Sequence, residues 1–156
     1  MEMTPEMIKG IVEKPFAFIE RTGLKAVILE PRHVKVVLPL EGNQGHLGSI
    51  YAGALFTVAE IPGGALFLTT FDVTKFYPVV KEMSIQFKRP ALTDVTVEMH
   101  MSLEEADRIV NEAEEKKKAE FTLLAEVKDA GGKIVAVSIG VYQLRRIGDY
   151  ENTKNS

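Results

Sequence analysis

The chain has 156 residues, 46% of them hydrophobic, a formal net charge of −3 and no cysteine. That length and apolar content suit one domain around one core. The charge argues against a nucleic-acid footprint, and the missing thiols exclude a disulfide framework, a zinc–thiolate site and a cysteine nucleophile, in keeping with a cytoplasmic setting.

The first residues, MEMTPEM, lack a basic region followed by an apolar one, so no signal peptide is expected. Thr4 as N-cap and Pro5 at the first helical position predict a helix. Ile8, Ile11, Val12, Phe16 and Ile19 follow at helical spacing; Pro15 should break or kink the element and Gly23 should end it. Two short apolar runs, 26–29 and 34–38, are split by Glu30-Pro31-Arg32-His33 and predict a hairpin. Residues 41–49 are a polar, glycine-containing loop.

Residues 50–71 carry a single charge, Glu60, and are apolar on nearly every face, which predicts a buried helix. The stretch is about as long as a bilayer span, for which roughly 20 apolar residues suffice. The alternating segments after it are those of a soluble sheet, so no membrane span is expected. Residues 83–88, 95–101, 121–128 and 135–142 alternate apolar and polar side chains, as strands with one face on a core do. Asp129-Ala130-Gly131-Gly132 marks a hairpin turn between the last two. Before them, Ser102 and Glu105 form a capping-box pattern, and Leu103, Ala106, Ile109, Val110 and Ala113 recur at helical spacing. The expected architecture is α+β: a curved antiparallel sheet wrapped around the long apolar helix, with an amphipathic helix inserted between strands. One domain over 1–147 and a polar tail over 148–156 complete it.

Two features of the central segment bear on chemistry. Gly48 and Gly53 flank the expected helix start, where open backbone N–H groups and the helix dipole favour a negatively charged oxygen. A polarised thioester carbonyl needs such an environment. Glu60 lies about two and a half turns beyond Tyr51. A buried, unpaired carboxylate costs several kcal/mol or takes a raised pKa. It therefore has either a partner, in the chain or across an oligomer interface, or a chemical task, and the residues alone leave both open. His33, His46 and His100 show no sequence spacing of metal ligands, so no metal site is expected.

The run GSIYAGALFTVAE over 48–60, followed by a strand ending Phe87-Lys88-Arg89-Pro90-Ala91, resembles the hotdog-fold acyl-CoA thioesterases of the phenylacetyl-CoA and hydroxybenzoyl-CoA type. It is most similar to their uncharacterised thioesterase-like branch, with a Gly-[ST]-x-[FY]-[AG]-Gly-[AS]-Leu core. The resemblance implies a hotdog fold and hydrolysis of an acyl-CoA thioester without a cofactor. It implies Glu60 as general base or nucleophile, and an oxyanion hole of N–H groups around Tyr51, Ala52 and Gly53, next to Gly48. Asn43 is the nearest loop asparagine for orienting substrate, and His46 is a further polar candidate; Lys88 and Arg89 would meet CoA phosphates. Many relatives carry His-Gly-Gly where this chain has Tyr51-Ala52-Gly53, so the family histidine is absent. Family habit and an exposed sheet edge imply a homodimer or homotetramer with sites at the dimer seam. The alternatives are a non-catalytic acyl-CoA binding module, which the missing histidine favours, and a hotdog dehydratase or hydratase, whose Asp/Asn-Pro-His motif is not found.

Overall fold

The computed structural model describes residues 2–149; of the expected polar tail, residues 150–156 lie outside them. The N-terminal helical stretch is two helices, α1 (Pro5–Glu13) and α2 (Ala17–Thr22). Thr4 Oγ1 accepts from the Met7 N–H at 3.2 Å and caps the first. Pro15 falls in the gap between them, and Gly23 closes the second at φ +71°. The hairpin follows as β1 (Lys25–Glu30) and β2 (His33–Leu38). Then come α3 (Ala52–Thr70), β3 (Phe76–Phe87), β4 (Val95–His100), α4 (Leu103–Lys116), β5 (Lys118–Lys128) and β6 (Ile134–Arg146), with a short 3-10 turn over Ile147–Asp149.

The six strands form one antiparallel sheet in the order β1-β2-β4-β5-β6-β3. Alternation decides which side chains face inward. Val34, Val36 and Leu38 from β2 and Val95 and Val97 from β4 are fully buried against α3, while their neighbours face solvent. From α3, Val58, Ala59, Ala65 and Leu66 enter the same core. α3 is long and apolar enough to cross a bilayer by length and composition, yet its inward residues fill the core of the sheet. Helix α4 is inserted between β4 and β5. Ser102 Oγ caps it by accepting from the Glu105 N–H at 3.0 Å, and Ala106, Ile109 and Ala113 form its buried face.

Two strands are edges. The β1 edge is partly covered by α1, whose Glu13 Oε1 accepts from the Ala26 N–H at 2.9 Å. The other edge, β3, is 12 residues long and, among the described residues, pairs with β6 alone. It begins at Phe76, seven residues earlier than the alternation predicts, because Pro78 and a bulge between Val80 and Glu82 interrupt the period-two pattern. An edge strand tolerates Pro78, since the missing N–H need not serve a second neighbour.

Candidate active site

The loop before α3 is held by its own backbone. Gly45 N–H donates to the Ser49 carbonyl at 2.8 Å, and Gln44 bridges to Ile50. Gly48 sits in the turn at φ +83°, a conformation that costs glycine little, and its N–H reaches the Gly45 carbonyl at 3.1 Å. Two further bonds set the direction of α3. Ile50 N–H donates to the Ala91 carbonyl at 2.9 Å, and Tyr51 N–H donates to the Asn43 carbonyl at 2.8 Å. The first brings the end of β3, with Lys88 and Arg89, alongside the start of α3.

A groove of about 490 Å³ lies at this junction, lined by His46, Tyr51, Ala52, Phe87, Lys88 and Arg89 among others. At its helix end Tyr51 is the N-cap and offers no side-chain cap to the helix. Ala54 and Leu55 N–H groups bond to the Tyr51 carbonyl, whereas those of Ala52 and Gly53 have no partner among the described residues. Two open donors at the positive end of a 19-residue helix suit a carbonyl oxygen that gains negative charge. The Tyr51 ring folds over Gly53: a Cβ there would lie 2.5 Å from Cε1 of the ring and would displace it. That ring is 64% exposed.

The remaining expected residues divide. His46, Lys88 and Arg89 are exposed on the groove wall, and Lys88 Nζ donates to Gln86 Oε1 at 2.8 Å. Asn43 is not in the lining. Its side-chain amide donates to the Thr22 carbonyl at 2.7 Å and the Pro39 carbonyl at 2.8 Å, so in this structure it anchors the loop. Gly48 shapes the turn and is outside the lining, as is Gly53, which follows the lining residue Ala52.

Glu60 is half-buried, and its carboxylate has no hydrogen bond or ion pair among the described residues. Burial holds its pKa above the ordinary glutamate value. It lies seven residues after Gly53, which is two turns or roughly 10 Å along the axis at ~1.5 Å per residue. Within one chain the open N–H groups and Glu60 therefore do not meet on one substrate atom. Gly53, Phe56, Glu60 and Gly64 recur at three- and four-residue spacing and form one stripe. Phe56 is 37% exposed, and nothing lies within 4 Å of where a Gly64 Cβ would be, so this stripe is not covered by the chain's own sheet.

One residue near Glu60 escaped sequence reasoning. Tyr142 on β6 is 3% exposed, its ring stacks on Phe121 at 5.8 Å, and it lodges between two glycines. A Cβ on Gly63 would be 2.5 Å from Tyr142 Oη, and one on Gly140 would be 2.5 Å from Cε2. The hydroxyl thus reaches α3 within one turn of Glu60, and it has no hydrogen bond among the described residues. Burial, and next the Glu60 carboxylate, push the phenol up to about 12, so it keeps its proton at neutral pH. Gly63-Gly64 inside a helix and Gly140 inside a strand were the available signals.

An apolar helix held by a six-stranded antiparallel sheet, with the N-terminus of that helix opening onto a groove, defines a hotdog-fold protein. Within that class the chain belongs to the family of the domain of unknown function DUF4442, whose model matches residues 7–142. A protein of unknown function from Pseudomonas aeruginosa, described as a probable thioesterase, is 47% identical. Its structure superposes with a TM-score of 0.90, covering 94% of this chain and 98% of its own. A thioesterase from Haemophilus influenzae shares the fold at 11% identity, with a TM-score of 0.72 and 96% of each chain covered. So does a variant of a second Pseudomonas aeruginosa thioesterase, at 14% identity and a TM-score of 0.70, over 94% of this chain and 97% of that one. No curated protein matches this sequence.

Proposed function

We propose that the protein hydrolyses acyl-CoA thioesters as a soluble, cytoplasmic homo-oligomer. The observation that carries this reading is the uncapped start of α3: two unpartnered N–H groups, on Ala52 and Gly53, beside a groove walled by Lys88 and Arg89. The N–H pair suits the thioester oxygen, and the two cations suit CoA phosphates, Arg89 through its fork of donors. The relative described as a probable thioesterase adds support at 47% identity.

In this mechanism the carbonyl oxygen accepts from Ala52 and Gly53 as the reacting carbon becomes tetrahedral. Glu60, with its pKa raised by burial, takes a proton from water whose oxygen forms the new bond to that carbon. The C–S bond breaks, the proton passes from Glu60 to the leaving CoA thiolate, and a carboxylic acid and free thiol result. In the nucleophilic variant, the Glu60 carboxylate attacks the carbonyl carbon, the C–S bond breaks and CoA thiolate leaves to take a proton from solvent; water then cleaves the anhydride to the carboxylic acid and regenerates Glu60. The absent family histidine leaves Tyr51 at the helix start. Its ring over Gly53 favours the second reading, a module that binds acyl-CoA without cleaving it; release of free thiol separates the two.

Because Gly53 and Glu60 lie two turns apart on one helix, the proposed site is shared between two copies. Two α3 helices that cross antiparallel near Phe56 set Gly53 of one copy opposite Glu60 of the other. The uncovered stripe of α3 and the unpaired β3 edge are the surfaces such a copy would cover. The test is subunit mixing. Glu60→Gln and Gly53→Val are each expected to be inactive as pure proteins, and their mixture is expected to regain part of the activity through hybrid dimers. A mixture that stays inactive after verified subunit exchange refutes the shared site, and sedimentation as a stable monomer at micromolar concentration refutes the oligomer.

A further inference from the structure

Away from the groove, three side chains converge on the outward face of the sheet. His33 opens β2, His100 closes β4, and the antiparallel register places them opposite one another. Glu98 precedes His100 by two residues, so strand alternation puts it on the same face. The two imidazoles stack with centroids 4.0 Å apart and an interplanar angle of 18°. Both direct Nε2 at one oxygen: Glu98 Oε1 is 2.6 Å from His33 Nε2 and 3.6 Å from His100 Nε2.

We infer that His33, Glu98 and His100 form a binding site for a divalent first-row transition-metal ion of the Zn²⁺ type. Their ligand atoms all lie within 4.8 Å of one another. Tetrahedral zinc with bonds of ~2.0–2.1 Å sets its ligands roughly 3.3 Å apart, so the two short distances must change by less than about 1 Å. Rotation of the exposed Glu98 carboxylate, together with a turn of the exposed His100 ring out of the stack so that both in-plane Nε2 lone pairs meet the ion, would supply that. Two imidazoles and one carboxylate favour zinc, cobalt or nickel over the all-oxygen preference of calcium and magnesium. A plain histidine–carboxylate hydrogen bond accounts for His33 but not for the second Nε2 turned to the same oxygen. On the far side of the His33 ring, Glu30 Oε2 lies 3.6 Å from Nδ1, outside hydrogen-bond reach but close enough to add negative potential to the site. Lys35 lies opposite Glu98 in the ladder, and its flexible stem lets the ammonium turn to solvent. A bound ion would clip the first residue of β2 to the last of β4 at the end of their ladder.

The histidines are 67 positions apart in sequence, which is why no ligand spacing was visible before the strands were paired. The site is independent of the thioesterase reading, and its test needs no activity. Untagged full-length protein, stripped with chelator, is titrated with Co²⁺ and followed by its visible d–d bands, then challenged with Zn²⁺. One equivalent per chain is expected, at micromolar affinity or tighter, with Zn²⁺ displacing Co²⁺. His33→Gln and His100→Gln are each expected to weaken binding more than ~100-fold. Absence of saturable binding by the wild-type protein overturns the site. So does binding that survives in both histidine variants, with circular dichroism confirming that each is folded.

Discussion

Three glycines in α3 answer differently to alanine, and the difference comes from what each Cβ would meet. At Gly63 the new carbon would lie 2.5 Å from Tyr142 Oη and 2.7 Å from Cε1 and Cζ. That ring cannot retreat: it is 3% exposed, stacked on Phe121 and pressed from the other side by Gly140. Overpacking of this kind costs about 1–3 kcal/mol. The helical preference of alanine over glycine returns at most ~1 kcal/mol. Gly63→Ala should therefore lose about 1–2 kcal/mol, a melting point roughly 3–6 °C lower for a chain of this size. At Gly53 the clash is equally short, 2.5 Å to Tyr51 Cε1, but that ring is 64% exposed and swings into solvent. Gly53→Ala should melt at or slightly above the wild type. Gly64→Ala meets nothing within 4 Å in the chain, so a fall in its melting point reports a second copy on the open stripe. Thermal melts at one protein concentration decide all three. A Gly63→Ala protein as stable as wild type, or a Gly53→Ala protein destabilised equally, refutes the reasoning.

Glu60→Gln should raise stability at neutral pH. The folded-state pKa of Glu60 is raised, so its burial opposes folding above that pKa and is neutral below the ordinary value of 4.5. The gain should accordingly vanish in melts below that pH, and a gain that persists there contradicts the assignment. Tyr142→Phe removes a buried hydroxyl without a partner among the described residues, and should be neutral or stabilising by up to ~1 kcal/mol. In the acyl-CoA assay it should shift the acid limb of the pH–rate profile, because the phenol lies beside Glu60; an unmoved limb removes Tyr142 from the site. Arg89→Ala should raise KM for CoA esters at least several-fold while leaving short pantetheine thioesters nearly unaffected. Equal loss on both substrates argues against a phosphate contact.

Much of the architecture was legible because its signals are local. Thr4-Pro5, Pro15 and Gly23 bound α1 and α2 where capping chemistry requires, and Ser102 with Glu105 starts α4. Residues 50–71 contain α3 nearly end to end, since apolar residues on every face leave few other structures open. The start of β3 was hidden, because Pro78 and a bulge erase alternation over its first half. The start of α3 at Tyr51, with its open N–H groups, was legible for the same local reasons. Tyr142 and the His33–Glu98–His100 trio were not, since each depends on strand pairing that no spacing in the chain reveals. Asn43 shows the converse limit: a polar residue in a glycine-rich loop has two carbonyls to satisfy before it has a substrate.

The central claim is that Glu60 drives hydrolysis of a thioester held at the start of α3. Its most direct measurement is thiol release from a panel of acyl-CoA esters by wild-type protein and by Glu60→Gln, with acyl-CoA binding measured in parallel. Wild-type protein should turn over at least one chain-length class, and Glu60→Gln should bind the same esters, melt no lower at neutral pH and release no thiol. Hydrolysis by Glu60→Gln at the wild-type rate would contradict the account.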